Sequence, residues 1–285
     1  MTFAQTLRDA PLTAKIGLGI IALNAIAVVF APWIASYGET QVVGDQWLPG
    51  FWDRSAAPAG LHVWLGTDQL GRDLFSRLIY GARNSILIAL ATTSLSFTLG
   101  VTTGMVAATA RGRVDQFMSW VVDIVMGFPT LIFALLLLAV LGSSVPVLIG
   151  VIALLDATRV FRLSRALGME LEAQDYVELA KLRGEQTLWI VFHEILPNAI
   201  GPLAAEFGLR FCFVFLFIAT LSFLGLGIQP PTADWGSMVR ENASAISFGI
   251  LIPLFPAAAI AILTVSVNLV VDWFIHLTGD ARHGR

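Results

Sequence analysis

The sequence predicts an all-α integral membrane protein, because charged residues are scarce and apolar residues gather in long runs. Of its 285 residues, 56% are hydrophobic and 13% are charged, and the mean hydropathy is +0.78. Soluble domains usually carry about 25% charged residues, so this chain has too few charges to cover a surface in water. Lipid is the solvent that accepts the remaining apolar area.

Six apolar segments are candidate membrane spans, since a helix needs roughly 20 mostly apolar residues to cross the hydrocarbon core. They begin near Ile16, Ser85, Met118, Val145, Ile200 and Ile250, and end near Ala35, Ala110, Val140, Leu155, Gly227 and Leu277. The fourth is interrupted by Asp156 and Arg159, and we expect it to continue as a helix that leaves the membrane. The first could instead be a signal peptide, but it is long for one and lacks a small-residue cleavage site.

The positions of Lys and Arg predict the orientation of the chain. With the N terminus inside, eleven of these 17 residues lie in inner segments, five in outer segments, and Arg210 within the fifth span. Because cytoplasmic segments are enriched in Lys and Arg, both termini are predicted to be cytoplasmic. Four of the outer five lie in one long loop, where this rule is weaker.

The outer segment from about Ser36 to Asn84 ends in an amphipathic pattern. Four apolar residues recur there at helical spacing, while charged residues occupy other faces: Leu70, Leu74, Leu78 and Ile79 against Arg72, Asp73 and Arg77. The pattern predicts an interfacial helix that leads into the second span.

The inner segment from about Asp156 to Asn198 carries the most informative pattern. Acidic residues mix with Lys181 and Arg183 before Gly184, and an apolar face then resumes until Pro197. This predicts two short helices with a glycine hinge, ahead of a membrane helix. From spacing alone, an ordinary amphipathic hairpin on the membrane is the simpler interpretation.

Several blocks of residues resemble one protein family. Glu178-Leu179-Ala180, Gly184 and the ILPN sequence at 195–198 resemble the EAA motif of permease subunits of ATP-binding-cassette importers. The match is closest to the dipeptide/oligopeptide/nickel permease family, which the blocks at 65–73 (LGTDQLGRD), 80–83 (YGAR) and 221–227 (LSFLGLG) also resemble. The similarity covers roughly residues 60 to 280. Leu179 departs from the motif, which has alanine there, and Glu194 replaces an isoleucine of the general motif.

This resemblance implies a type I importer permease (MetI-like) fold with six transmembrane helices and a cytoplasmic coupling helix. Residues 1–84 would form an N-terminal transmembrane helix, a periplasmic loop and the interfacial helix. Residues 85–285 would form a five-helix permease core with the EAA-type loop at 156–198. The residues implied in coupling to an ATPase are Asp175, Tyr176, Glu178, Leu179, Ala180, Leu182, Gly184, Ile195, Leu196 and Pro197.

The resemblance also implies partners and a location. The expected partners are a second permease subunit, two ATP-binding subunits and a periplasmic solute-binding protein, in a bacterial inner membrane. This chain is expected to bind no cofactor and to be no enzyme, because ATP and Mg²⁺ would be used by the ATPase subunits. Peptides are the first candidate cargo, followed by opines, nickel chelates and sugar-like solutes. Two rivals are a self-sufficient secondary transporter or channel and an intramembrane enzyme.

Two charged residues inside the fifth span are a candidate substrate-path site. Glu206 and Arg210 lie four residues apart, on one helical face, where they can form an ion pair. Charged residues within a membrane span are functional candidates by default. A structural pair near the cytoplasmic end, with Arg210 extending towards water, is the alternative.

Three other sequence features do not indicate a functional site. Residues 66–71 have glycine spacing similar to a phosphate-binding loop, but Arg72-Asp73 follows in place of Lys-Ser/Thr. His193-Glu194 begins like a zinc-protease helix, but Pro197 stands where the second histidine belongs. With one cysteine, scattered histidines and a net charge of −3, the sequence indicates neither a metal site nor a nucleic-acid partner.

Overall fold

The computed structural model describes residues 10–51 and 63–283, and this part of the chain is mostly helical. Extended pairing within it consists of isolated bridges, Val42 with Arg72 and Thr67 with Asp73. The all-α fold class is confirmed. Three of the arginines counted for the predicted orientation, Arg8, Arg54 and Arg285, lie outside the described residues, as does His62 among the scattered histidines.

The helices are named here in chain order. They are α1 (Leu12–Ile34), α2 (Leu74–Ala110), α3 (Gly112–Met126), α4 (Thr130–Leu141), α5 (Val145–Glu172), α6 (Asp175–Leu182), α7 (Thr187–Phe223), α8 (Trp235–Glu241) and α9 (Leu254–His283), with a 3₁₀ segment at Ala243–Phe248.

Four helices in the described residues are long and apolar enough to cross a membrane: α1, α2, α7 and α9. The pair α3 and α4 adds a fifth if it counts as one span. With 28 residues, α5 is about 42 Å long at 1.5 Å per residue, but its charged residues, Asp156 and Arg159 among them, keep it out of this group. The predicted count of six spans is therefore not confirmed.

The third predicted span is broken. Its two halves, α3 and α4, differ in direction by 87°, whereas the sequence predicted one run from Met118 to Val140. The break holds Gly127, Phe128 and Pro129. Proline disfavours the helical conformation in the residue before it, and its ring obstructs the preceding helical turn.

Two other predicted breaks are absent. The segment expected to be a separate interfacial helix is the beginning of α2, which runs without interruption from Leu74 to Ala110. Pro197 does not end a helix either, because α7 continues past it to Phe223. A π-helical turn at Val191–Ile195 directly precedes this proline. The wider turn gives room for the proline ring, which would otherwise collide with the carbonyl of the residue four positions earlier.

The chain divides into two compact units. The first contains residues 1–90, 143–145 and 215–273. At its centre Arg77 is completely buried, and its Nη1 donates to Asp68 and, at 2.8 Å, to Glu241 of α8. Arg72 donates to the same two carboxylates, at 2.7 and 2.8 Å. The sequence had placed Arg72 and Arg77 only on the non-apolar faces of an interfacial helix and did not predict their burial. Burial is possible because each arginine meets two carboxylates.

The beginning of α8 is fixed by its own cap and by α2. The Asp234 carboxylate accepts from the Ser237 backbone N–H at 2.9 Å and from Ser85 Oγ at 2.7 Å. Burial raises the pKa of Asp234 above its usual range. Trp235 Nε1 donates to the Leu78 carbonyl at 2.9 Å, and its ring covers Gly81, where a Cβ would lie 2.8 Å from the indole. α2 and α8 are thus joined by buried polar contacts.

The second unit contains residues 91–142, 146–214 and 274–285. In it α2 and α5 cross at glycines. A Cβ on Gly100 would lie 2.5 Å from Val160, and one on Gly104 would lie 2.6 Å from the Phe161 carbonyl. From the other side, a Cβ on Gly168 would lie 2.8 Å from Ala108. Small residues let helix backbones approach closely in membranes, so these three positions determine how near α2 and α5 lie.

We expect Gly100→Ala to destabilise the protein by about 1–3 kcal/mol, the usual effect of overpacking a filled contact. Gly150→Ala on α5 is the matched control, because nothing lies within 4 Å of a Cβ there. Thermal unfolding of the purified chain in detergent, followed by tryptophan fluorescence, measures both. Equal unfolding temperatures for the two variants would show that α2 and α5 are not in close contact.

Candidate coupling site and a buried ion cluster

The short helix α6 ends at a glycine whose backbone conformation is specific. Gly184 has φ +80°, and its N–H donates to the Lys181 carbonyl while the Glu185 N–H donates to the Ala180 carbonyl. This pair of bonds is the Schellman arrangement, in which glycine is preferred because it accepts positive φ without strain. Nothing lies within 4 Å of a Cβ on Gly184. The glycine is therefore explained by its backbone conformation, and not by a lack of space for a side chain.

One face of α6 packs into the interior of the second unit. Val177 and Ala180 are fully buried, in a cluster with Met105 of α2 and with five residues of α7, its π turn included: Ile190, Val191, Ile195, Ala199 and Leu203. Tyr176 and Leu196 are half-buried beside it. Two of the predicted coupling residues, Ala180 and Ile195, thus help to pack α6 against α2 and α7 within this chain.

The opposite face of α6 is exposed and unusually apolar. Leu179 and Leu182 are 58% and 78% exposed, and Asp175 and Glu178 lie on the surface beside them. The exposed residues Leu188, Phe192 and Pro197 extend the surface along α7. Exposed apolar groups that adjoin charged ones are typical of surfaces that bind another protein.

A buried carboxylate joins α6 to two other elements. Glu172, at the end of α5, has a side chain that is 1% exposed, and it accepts from Lys181 of α6 and from Arg111 at the α2–α3 junction. Burial raises the pKa of Glu172, but the two cations outweigh this effect and hold the pKa below its usual range. The sequence did not single out Glu172, since nothing in its spacing separates it from the acidic residues around it.

The predicted pair within the fifth span belongs to a larger cluster. Arg210 donates to Glu206 at 2.6 Å, as the spacing predicted, and also lies 3.7 Å from Asp156 of α5. Ser96 Oγ of α2 donates to Asp156 at 2.7 Å, and the Arg210 guanidinium lies 5.5 Å from the Phe213 ring centre. The sequence indicated Asp156 only as an interruption of the fourth span. Its partners are distant in the sequence, so no local pattern could place it here.

The cluster is only partly enclosed. The side chains of Glu206 and Arg210 are 18% and 19% exposed, and Asp156 is 8% exposed. Two carboxylates face one guanidinium, and Arg159 nearby donates to Thr130 at 3.1 Å. Such an arrangement can offer both a cation and an anion to a polar solute. Across residues 10–51 and 63–283, no group of three or more His, Cys, Asp or Glu side chains is arranged to hold a metal ion.

Comparison with known proteins identifies relatives over most of the chain. Residues 100–279 match the family described as binding-protein-dependent transport system inner membrane component. The chain is 35% identical to the di/tripeptide transport system permease protein DppC of Pseudomonas aeruginosa, over 90% of this chain and 84% of that one. It is 32% identical to a probable D,D-dipeptide transport system permease protein, DdpC, of Escherichia coli, over 98% and 91% of the two chains.

A further relative and one solved structure complete the comparison. The chain is 30% identical to the glutathione transport system permease protein GsiD of Pectobacterium atrosepticum, over 90% of this chain and 83% of that one. A crystal structure of an amino acid ABC transporter with histidines superposes with a TM-score of 0.47 and 21% identity, over 70% of this chain and 93% of the other.

Proposed function

The chain belongs to the family of binding-protein-dependent transport system inner membrane components, and we propose that it forms half of a pore that carries peptides across a bacterial inner membrane. It is a multi-pass permease subunit of an ATP-binding-cassette importer and not an enzyme. Family membership argues against the two rivals, a secondary transporter that works alone and an intramembrane enzyme.

The proposed mechanism rests on the two different faces of α6. Its buried face fixes it to α2 and α7, and its exposed leucines are free to enter a groove of an ATPase subunit. Glu178, on the exposed side, would meet basic or backbone donors of that groove. A small helix held firmly at its base can pass on the closure of the ATPases as a rigid-body movement.

The proposed complex has five subunits. A second, related permease would complete the pore, two ATPases would bind the α6 surfaces, and a binding protein would deliver the cargo. The excess of Lys and Arg in the predicted inner segments supports cytoplasmic termini. The coupling helix then lies on the same side as the ATPases.

The proposed cargo rests on the relatives and on the ion cluster. The names of the relatives refer to dipeptides, tripeptides and glutathione. Peptides carry an ammonium group and a carboxylate, and the cluster of Asp156, Glu206 and Arg210 presents charges of both signs. We place this cluster on the translocation path, where Arg210 would bind the carboxylate and the two acids would bind the ammonium group.

Reconstitution tests the proposed function. The chain is placed in liposomes with its second permease, two ATPases and binding protein, and uptake of radiolabelled alanyl-alanine is measured. We expect uptake only with ATP and with the binding protein present. The same uptake by this chain alone, without ATP, would contradict an importer subunit. ATP-dependent uptake of a nickel chelate or a sugar in place of the peptide would contradict only the cargo.

The coupling surface is tested by Glu178→Lys and Gly184→Pro. We expect Glu178→Lys to lower uptake by about 30-fold or more, the effect of losing roughly 2 kcal/mol at an interface hot spot. We expect Gly184→Pro to do at least as much, because proline cannot adopt φ +80° and lacks the N–H that donates to Lys181. Membrane insertion is retained in both. Glu170→Lys is the control. Glu170 is exposed near the end of α5, so this substitution makes the same charge reversal outside α6. Normal uptake by both α6 variants would remove this surface from the mechanism.

The substrate path is tested by Arg210→Ala. We expect uptake of alanyl-alanine to fall about tenfold, which corresponds to 1.4 kcal/mol in the barrier. Arg210→Lys keeps the charge and serves if the alanine variant assembles poorly. Arg113→Ala removes an exposed arginine as a control. An assembled Arg210→Ala complex with unchanged rate and unchanged selectivity among peptides would show that the cluster is structural.

A further inference from the structure

Glu172 connects three separate parts of the second unit. It is the last residue of α5, and its two carboxylate oxygens accept from different cations. Oε1 accepts from Lys181 Nζ of α6, and Oε2 accepts from Arg111 Nη2, directly before α3. One side chain therefore contacts the coupling helix and the turn between two long helices.

The carboxylate is the enclosed member of this group. Glu172 is 1% exposed, whereas the side chains of Lys181 and Arg111 are 39% and 68% exposed. Ion pairs between fully exposed groups contribute little, because water solvates both partners. A buried carboxylate cannot be solvated in this way, so it needs both cations to stay near it. Their positions are thus constrained by Glu172.

The turn at the beginning of α3 is shaped to make this contact. Arg111 has φ 50°, a conformation that is uncommon for a residue with a side chain. Its N–H still donates to the Ala107 carbonyl at the end of α2. The chain then reverses into α3 through Gly112, with φ +61°. A non-glycine residue held in this region indicates that surrounding contacts determine its conformation, and the Glu172 ion pair is such a contact.

A second ion pair joins the same helices further along. Arg165 of α5 donates to Asp115 of α3, with Nη2 at 2.6 Å from Oδ2. With Glu172, α5 therefore contacts the first residues of α3 twice. The Glu172 contact differs in one respect, since it also includes α6.

We propose that Glu172 is a positioning residue for transport, which makes α6 and the beginning of α3 move together with the end of α5. This inference rests on the proposed function of α6 as the coupling helix. Movement imposed on α6 then reaches the pore helices by two routes. One is the chain itself, through Gly184 into α7, and the other is Glu172, which passes the movement to α3.

The physical link is tested in the full chain in lipid nanodiscs by amide hydrogen exchange. Glu172→Gln keeps the shape of the side chain and removes its charge. We expect about tenfold faster exchange in both α6 and residues 111–116. Glu170→Gln is the matched control, two residues earlier and exposed. Unchanged exchange in either segment would overturn the link, and this result does not depend on the cargo or on the partners.

The role in transport is tested in the reconstituted importer. We expect Glu172→Gln to raise the ATP hydrolysed per alanyl-alanine imported by about tenfold, with normal assembly. A lowered amount of complex with an unchanged ratio would indicate a merely structural role and overturn the proposal. Lys181→Met, at a partly exposed position, tests the same link if Glu172→Gln assembles poorly.

A double-mutant cycle distinguishes an effect of the Glu172–Lys181 contact from independent effects of the two residues. If Glu172 and Lys181 act through their contact, the double variant is no worse than the more impaired single variant. Losses that multiply would show independent roles and refute the proposed link. A wild-type complex without ATP-dependent uptake would instead refute the proposed function, while the exchange measurements still decide whether Glu172 links the three elements.

Discussion

The contact between α2 and α5 is the constraint on which both candidate sites depend. Gly100 and Gly104 let α5 approach α2 so closely that a Cβ at either position would collide with it. At this distance Ser96 Oγ can reach Asp156, which places that carboxylate beside Arg210. The same pairing brings the end of α5 to the end of α2, so that Glu172 meets Arg111. If the two helices were moved apart by the width of a methyl group, both polar contacts would lengthen.

Each compact unit contains buried charges, and the two units enclose them to different degrees. In the first, Arg77 and Asp68 are completely buried, and two arginines balance the carboxylates of Asp68 and Glu241. This group is closed and nearly neutral, as expected of a structural network whose charges must be compensated. In the second, Arg210 is 19% exposed and faces two carboxylates. A group that stays partly exposed can still interact with a solute, and this difference in exposure favours Arg210 over Arg77 as a transport residue.

The sequence predicted features that depend on local composition and missed those that depend on distant partners. Apolar runs located α1, α7 and α9, and i,i+4 spacing identified the Glu206–Arg210 pair. The burial of Arg77 depends on Glu241, which is 164 residues away, and the Glu172–Arg111 pair joins residues 61 apart. The effects of two prolines were also predicted wrongly, and in opposite directions. Pro129 accompanies a sharp bend within an apolar run, while a π turn allows α7 to continue past Pro197.

The EAA-like segment has a buried face and an exposed face, and its residues have different roles on each. Ala180 and Ile195 point into the chain, and Leu179 and Leu182 point outwards. An isolated helix of eight residues is unstable in water, so the exposed leucines hold a fixed position only because the buried face is anchored. A partner that binds the outer face then acts on the anchor as well, through Val177 and Ala180 towards α2 and α7. If α6 is the coupling helix, as proposed, the motif acts as a mechanical joint, and its buried residues serve coupling together with those that would contact the ATPase.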